Sequence, residues 1–132
     1  MTYKILLVDN NQPFLKAVRH LLDAIQDLEI VGEASDGVDG LQKAKELQPD
    51  LILLDIAMPK MSGLDVALRI QSWTIAPKIL FLTMYDDASY LEAARDLGAI
   101  GVLGKIDLMA ELLPMIRLLI ADQHSAAFPT HS

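Results

Sequence analysis

Four short aliphatic runs in this 132-residue chain each end in a single polar residue. Ile5-Leu-Leu-Val8 ends in Asp9, Leu51-Ile-Leu-Leu54 in Asp55, Lys78-Ile-Leu-Phe-Leu82 in Thr83, and Ile100-Gly-Val-Leu-Gly104 in Lys105. Two carboxylates brought together favour a hard, oxygen-seeking divalent cation such as Mg2+, which keeps several waters and takes only one or two protein carboxylates. A hydroxyl and an ammonium beside them would suit an incoming phosphoryl oxygen. Any one polar residue after a strand is commonly just the first solvated position of a loop. The coincidence of acid, acid, hydroxyl and cation on four runs is what points to chemistry, and Asp55 is its centre.

The elements that must position these residues can be read from pattern and punctuation. Leu51–Leu54, between Pro49 and Pro59, is too short for a helix and has no polar face, so it reads as a strand buried on both sides of a parallel sheet. In open α/β sheets ligands gather outside the carboxyl ends of the strands, which is where Asp55 stands. Phe14, Leu15, Val18, Leu21, Leu22 and Ile25 recur at helical spacing behind Asn11 as N-cap, with Pro13 tolerated in the first turn. Ile30–Ser35 is a weaker strand, and Asp36-Gly37 opens a helix, stopped by Pro49, whose expected buried stripe is Val38, Leu41, Ala44 and Leu47. Ser62 and Asp65 form a capping pair for a helix to about Gln71, and residues 73–77 form a loop with Trp73 as a packing residue. After Thr83, Asp86 or Asp87 is expected to cap a helix with Leu91, Ala94 and Leu97 inward, closed by Gly98. Asp107 would cap a last helix to about Ala121, kinked by Pro114. Strand and helix alternate five times, which implies right-handed crossovers and a doubly wound α/β domain over residues 1–121, followed by a loose tail or linker start at 122–132.

Composition narrows the function. Apolar residues make up 52% of the chain and charged residues 22%, as in an ordinary globular domain. With 18 acidic against 11 basic side chains the net charge is −7, so direct nucleic-acid binding by this segment is not expected. The absence of cysteine excludes disulfides, thiolate metal sites and thiol nucleophiles. The start breaks after four apolar residues, without a signal-peptide core or a membrane span, so a cytoplasmic location and no membrane association are expected. His20, His124 and His131 are not spaced as metal ligands, and the methionines read as gap fillers.

Four segments together resemble the receiver domains of bacterial two-component response regulators, over about Lys4 to Ala121. They are Ile5-Leu-Leu-Val-Asp9, the stretch Pro49 to Gly63 around Asp55, Leu82-Thr-Met-Tyr-Asp-Asp87, and Gly98-Ala-Ile-Gly-Val-Leu-Gly-Lys105. The third is most similar to receivers of the LuxR type, whose usual partner is a carboxyl-terminal helix-turn-helix domain. The resemblance implies a flavodoxin-like five-stranded sheet of order 2-1-3-4-5. It also implies that Asp55 accepts a phosphoryl group from a sensor histidine kinase with Mg2+ as cofactor. Asp9, Asn10, Asp55 and the main-chain carbonyl of Ala57 would hold the metal, Thr83 would bond the phosphoryl group, and Lys105 would pair with Asp55 or its phosphate. The result would be a signalling switch that turns over no external substrate.

Two positions depart from the family pattern. Asn10 stands where a second acid is usual, which should weaken metal binding while repelling phosphate less, and its bland role is to cap a turn. Val102 stands where many receivers carry an aromatic side chain that swings with the threonine, so that relay cannot operate. These departures support an alternative, a pseudo-receiver acting as a phosphorylation-independent interaction module. An aspartyl-phosphate phosphatase is disfavoured because the second acid it would want two residues after Asp55 is Ala57. The last helix is apolar nearly all round. With Leu112, Ile116 and Leu119 as its buried stripe, Leu113, Met115 and Leu118 are left for a homodimer or output-partner surface.

Overall fold

The computed structural model describes residues 2–84 and 88–126. Ten elements alternate along it: β1 (Tyr3–Val8), α1 (Gln12–Leu22), β2 (Leu28–Ala34), α2 (Gly37–Leu47), β3 (Leu51–Asp55), α3 (Gly63–Ile70), β4 (Lys78–Thr83), α4 (Ala88–Asp96), β5 (Gly101–Gly104) and α5 (Leu108–Ala126). The strands pair in parallel in the order β2-β1-β3-β4-β5, the doubly wound flavodoxin-like sheet.

Alternation along the central strands divides the core into two layers. Ile5, Leu7, Leu51, Leu53, Leu80 and Leu82 face α1 and α5, where they meet Leu15, Val18, Leu22, Leu108, Leu112 and Ile116. Leu6, Val8, Ile52, Leu54, Ile79 and Phe81 face the other way, against Ala44, Val66, Ala67, Ile70 and Ala94 of α2, α3 and α4. Because β1, β3 and β4 are covered on both sides, their sequences are unbroken aliphatic runs. The edge strand β2 is only partly buried along most of its length, which is why its pattern was weaker.

Three of the expected caps form. Asn11 Oδ1 accepts the Phe14 N–H at 3.0 Å, Asp36 Oδ1 the Asp39 N–H at 2.8 Å, and Ser62 Oγ the Asp65 N–H at 3.2 Å. Gly98 closes α4 at φ +78°. The cap expected at Asp86 or Asp87 lies outside the described residues.

Four expectations need correction. Val38 is 47% exposed, and α2 instead turns Gly37, Gly40 and Ala44 inward. The helix lies so close to the sheet that a Cβ on Gly40 would come within 2.7 Å of Val8 Cγ1. Leu91 is 50% exposed, because the inward stripe of α4 is rotated to Tyr90, Ala94 and Leu97. Lastly, α5 runs through Pro114 to Ala126, five residues beyond the expected end. Leu113 and Met115, expected on an outer surface, pack against the core layer beside Leu112 and Ile116, whereas Leu118 is 71% exposed. Trp73 packs on the second layer as expected.

Candidate functional site

Strand register brings the four polar residues to one edge. Val8 pairs with Leu54, so Asp9 lies one step beyond β1 beside Asp55, the last residue of β3. Asp55 pairs with Leu82, Thr83 pairs with Gly104, and Lys105 follows directly, its N–H donating to the Thr83 carbonyl at 2.8 Å. Asp9, Asp55 and Thr83 are the buried polar residues among those described.

The turn after β3 is built against the acceptor. Ile56 N–H donates to the Leu82 carbonyl at 3.1 Å, and Gly63 N–H to the Ile56 carbonyl at 2.8 Å. Gly63 comes so near that a Cβ there would stand 2.2 Å from the Asp55 carbonyl oxygen, so only glycine fits. This fold-back places the Ala57 N–H to donate to the Asp55 carboxylate.

At the centre is Lys105, whose side chain is 8% exposed. Its Nζ lies 2.6 Å from Asp9 Oδ2 and 3.5 Å from Asp55 Oδ2. The resemblance implied pairing with Asp55, but the nearer partner is Asp9. The Asn11 N–H donates to Asp9 Oδ1 at 2.9 Å, and the Lys105 ammonium stands 4.4 Å from the centroid of the Phe14 ring. With the ammonium on Asp9, Asp55 is under-compensated. Its pKa is raised above the ordinary 3.8, chiefly by burial and then by the charge of Asp9, against the opposing pull of Lys105 and the Ala57 N–H.

A cavity of about 290 Å³ opens onto this edge, lined by Asn10, Asn11, Asp55, Ile56, Ala57, Thr83, Met84, Tyr90 and Lys105. Asp9 lies behind it, fully buried. Every residue of the expected site is therefore at or directly behind one opening. Two carboxylates converging on a single point, now held by an ammonium, are the hard oxygen donors a divalent cation takes, so the residues fit Mg2+. Among the described residues no cluster of three or more His, Cys, Asp or Glu side chains adds to them. A larger groove, about 760 Å³, lies at the opposite edge beside Trp73 and Ile75. Its carboxylate Asp50 already accepts the Lys4 N–H at 2.7 Å.

Three participants were missed by the sequence reading. Phe14 was assigned to the helix stripe, yet its ring also faces Lys105. Asn11 was read as a cap only, yet its N–H fixes Asp9. Tyr90 lines the opening, and its aromatic character close behind Thr83 was the available signal.

Known proteins bear on this geometry. The response regulator receiver domain model matches residues 5–117. The transcriptional regulatory protein LiaR of Bacillus subtilis (strain 168) is 35% identical over 114 residues, which is 86% of this chain and 54% of LiaR. The transcriptional regulatory protein PdtaR of Mycobacterium tuberculosis (strain ATCC 25618 / H37Rv) is 41% identical over 93 residues, 70% of this chain and 45% of PdtaR. The chain thus spans about half the length of these curated relatives. Among solved structures, a LuxR-family two-component response regulator from Aurantimonas sp. SI85-9A1 is similar with TM-score 0.84 at 28% identity, covering 92% of this chain and 87% of that one. Among the described residues no helix is long and apolar enough to cross a membrane. With matched sequence, sheet order and carboxyl-edge site in agreement, the chain belongs to the receiver domain family of two-component response regulators.

Proposed function

We propose that the domain is a phosphorylation-dependent switch whose acceptor is Asp55. The observation that carries this is the position of Asp55, a buried carboxylate at the cavity mouth with Lys105 3.5 Å away and Thr83 on the neighbouring strand. A carboxylate oxygen of Asp55 attacks the phosphorus of a phosphohistidine on a sensor kinase. The new O–P bond makes an acyl phosphate as the N–P bond breaks and the imidazole leaves. Phosphoryl transfer relies on positioning and on stabilising charge on the equatorial oxygens. The Thr83 hydroxyl and Lys105 ammonium serve that purpose from one side. Bound Mg2+ would neutralise charge on the other side, held by Asp9 and Asp55 with Asn10 and the Ala57 carbonyl at the opening.

The raised pKa of Asp55 fits the role: an under-compensated carboxylate gains from every positive or hydrogen-bonding group that phosphorylation recruits. The output would be a shift between pre-existing conformations, passed to a partner or a second copy of the chain through exposed apolar positions such as Leu118 on α5. Leu113 and Met115 are partly buried against the core, so of the three expected residues Leu118 is the most available to a partner.

The pseudo-receiver reading has one specific observation in its favour. Lys105 already neutralises Asp9 at 2.6 Å, and Asn10 adds no charge to draw a metal in. Incubation with Mg2+ and a small acyl-phosphate donor, followed by intact mass, separates the two. One added phosphoryl group, absent in Asp55→Ala, supports the switch; none on folded protein supports the pseudo-receiver.

A further inference from the structure

Phe14 sits in the first turn of α1, tied there by Asn11, whose Oδ1 accepts the Phe14 N–H at 3.0 Å while its own N–H donates to Asp9 Oδ1 at 2.9 Å. One short segment therefore fixes both a carboxylate and an aromatic ring. The Lys105 ammonium meets both, 2.6 Å from Asp9 Oδ2 and 4.4 Å from the ring centroid, with Asp55 Oδ2 at 3.5 Å. The core does not depend on this ring. Leu15, Val18 and Leu22 are the buried residues of α1, and Phe14 is only partly buried at the margin of the layer.

We infer that Phe14 is a positioning residue of the site: its ring holds the Lys105 ammonium on the Asp9 side of the carboxylate pair, so a divalent cation reaching Asp9 must displace a cation–π contact as well as an ion pair. The inference rests on the reading of Asp9 and Asp55 as the cation-binding carboxylates. The ring face attracts an ammonium electrostatically, and the attraction is stronger when the ammonium is shielded from water, as it is on this 8% exposed side chain. Mg2+ holds its waters too tightly to use the ring in the same way. The ring therefore favours the ammonium over the metal, and Phe14 sets part of the Mg2+ affinity without touching the metal. Leucine is apolar but has no π face, whereas tyrosine keeps one.

The test compares wild type with Phe14→Leu and Phe14→Tyr, titrated with Mg2+ and followed by NMR at the Asn11 and Ala57 amides, which report on Asp9 and Asp55. Phe14→Leu is expected to bind Mg2+ about five- to thirtyfold more tightly, the range for a cation–π contact shielded from water, and Phe14→Tyr to stay within about twofold of wild type. The ε-methylene protons of Lys105 should carry an upfield ring-current shift in wild type and Phe14→Tyr that vanishes in Phe14→Leu. That shift shows the ring over the ammonium in solution, and the Mg2+ affinities, which a ring that only packs would leave unchanged, show what it does there. Should Phe14→Leu fail to fold, Phe14→Met takes its place with the same expectation. Equal or weaker Mg2+ affinity in the leucine or methionine protein, a tyrosine protein that departs along with it, or an unshifted Lys105 signal overturns the inference. If Asp55 accepts no phosphoryl group the proposed function fails, while the Mg2+ series still decides the role of Phe14.

Discussion

Lys105 stands closer to Asp9 than to Asp55, 2.6 Å against 3.5 Å, so the ammonium that should meet the incoming phosphoryl group rests on the acid that should meet the metal. The site is thus internally paired, and on the proposed function filling it means moving Lys105 from one carboxylate toward the other. The strength of that pairing can be measured. Lys105→Met leaves two buried carboxylates without a counter-ion, and breaking a buried pair from one side costs about 3 to 5 kcal/mol. Urea denaturation should show a loss of that order in EDTA and recovery of much of it in millimolar Mg2+. Equal losses in both media would show that the carboxylates do not share a cation.

Asp55 should make stability depend on pH in an unusual sense. Its folded pKa lies above the ordinary 3.8, so between the two values the folded state binds the proton more readily than the unfolded state. Stability is then lost as pH rises through that window, where a typical paired carboxylate would gain it. Asp55→Asn removes the buried charge and should be more stable than wild type at pH 7, with the advantage fading toward pH 3. Denaturation midpoints across that range, measured without Mg2+, check the sign.

Tyr3 predicts a second pH effect at the far end of β1. Its hydroxyl is buried without a hydrogen-bond partner among the described residues, and its pKa is pushed from 10.0 to about 12 by burial, then by Asp50 and Asp122. The unfolded chain ionises first, so stability is intact below pH 10 and falls between 10 and about 12. Tyr3→Phe should flatten that limb and, at neutral pH, change stability by about 1 kcal/mol at most, in the stabilising direction. Thermal melts from pH 8 to 11 give the comparison.

Gly63 and Gly101 form a matched pair for steric tests. A Cβ on Gly63 would stand 2.2 Å from the Asp55 carbonyl oxygen, whereas one on Gly101 meets nothing nearer than Leu80 Cδ1 at 3.7 Å. Gly63→Ala should cost about 3 kcal/mol or more and displace the Ala57 N–H from Asp55, while Gly101→Ala should be near neutral. Chemical denaturation reads the first effect, and the Ala57 amide shift reads the second.

The strands, and the placement of Asp9, Asp55, Thr83 and Lys105 at one sheet edge, were the most legible parts of the chain. Runs such as Leu51–Leu54 have no polar face because the sheet is covered on both sides, and the residue that ends each run must emerge at the carboxyl edge. What escaped was set by contact between elements. At Gly40 the helix touches the sheet through the absence of a side chain, which a search for apolar residues cannot see, so Val38 was chosen wrongly. On α4 two apolar stripes were possible, and packing beside the cavity selected Tyr90 over Leu91. The polar stretch after Ala121 looked like a tail, yet it contains no glycine or proline before Pro129, so the α5 hydrogen-bonding pattern continues to Ala126. Phe14 had one visible role, at helical spacing, and its second depends on Lys105, 91 positions away in sequence and adjacent only once β5 is in place.

The most direct measurement is chemical trapping of the acyl phosphate. Wild type and Asp55→Ala would be incubated with Mg2+ and a small acyl-phosphate donor, reduced with borohydride, digested and mapped by mass. An aspartyl phosphate is reduced to homoserine, so wild type should yield a peptide carrying homoserine at position 55, and Asp55→Ala should yield no homoserine. Homoserine at another acid such as Asp9, or none anywhere in folded wild type, would contradict the assignment of Asp55 as the acceptor.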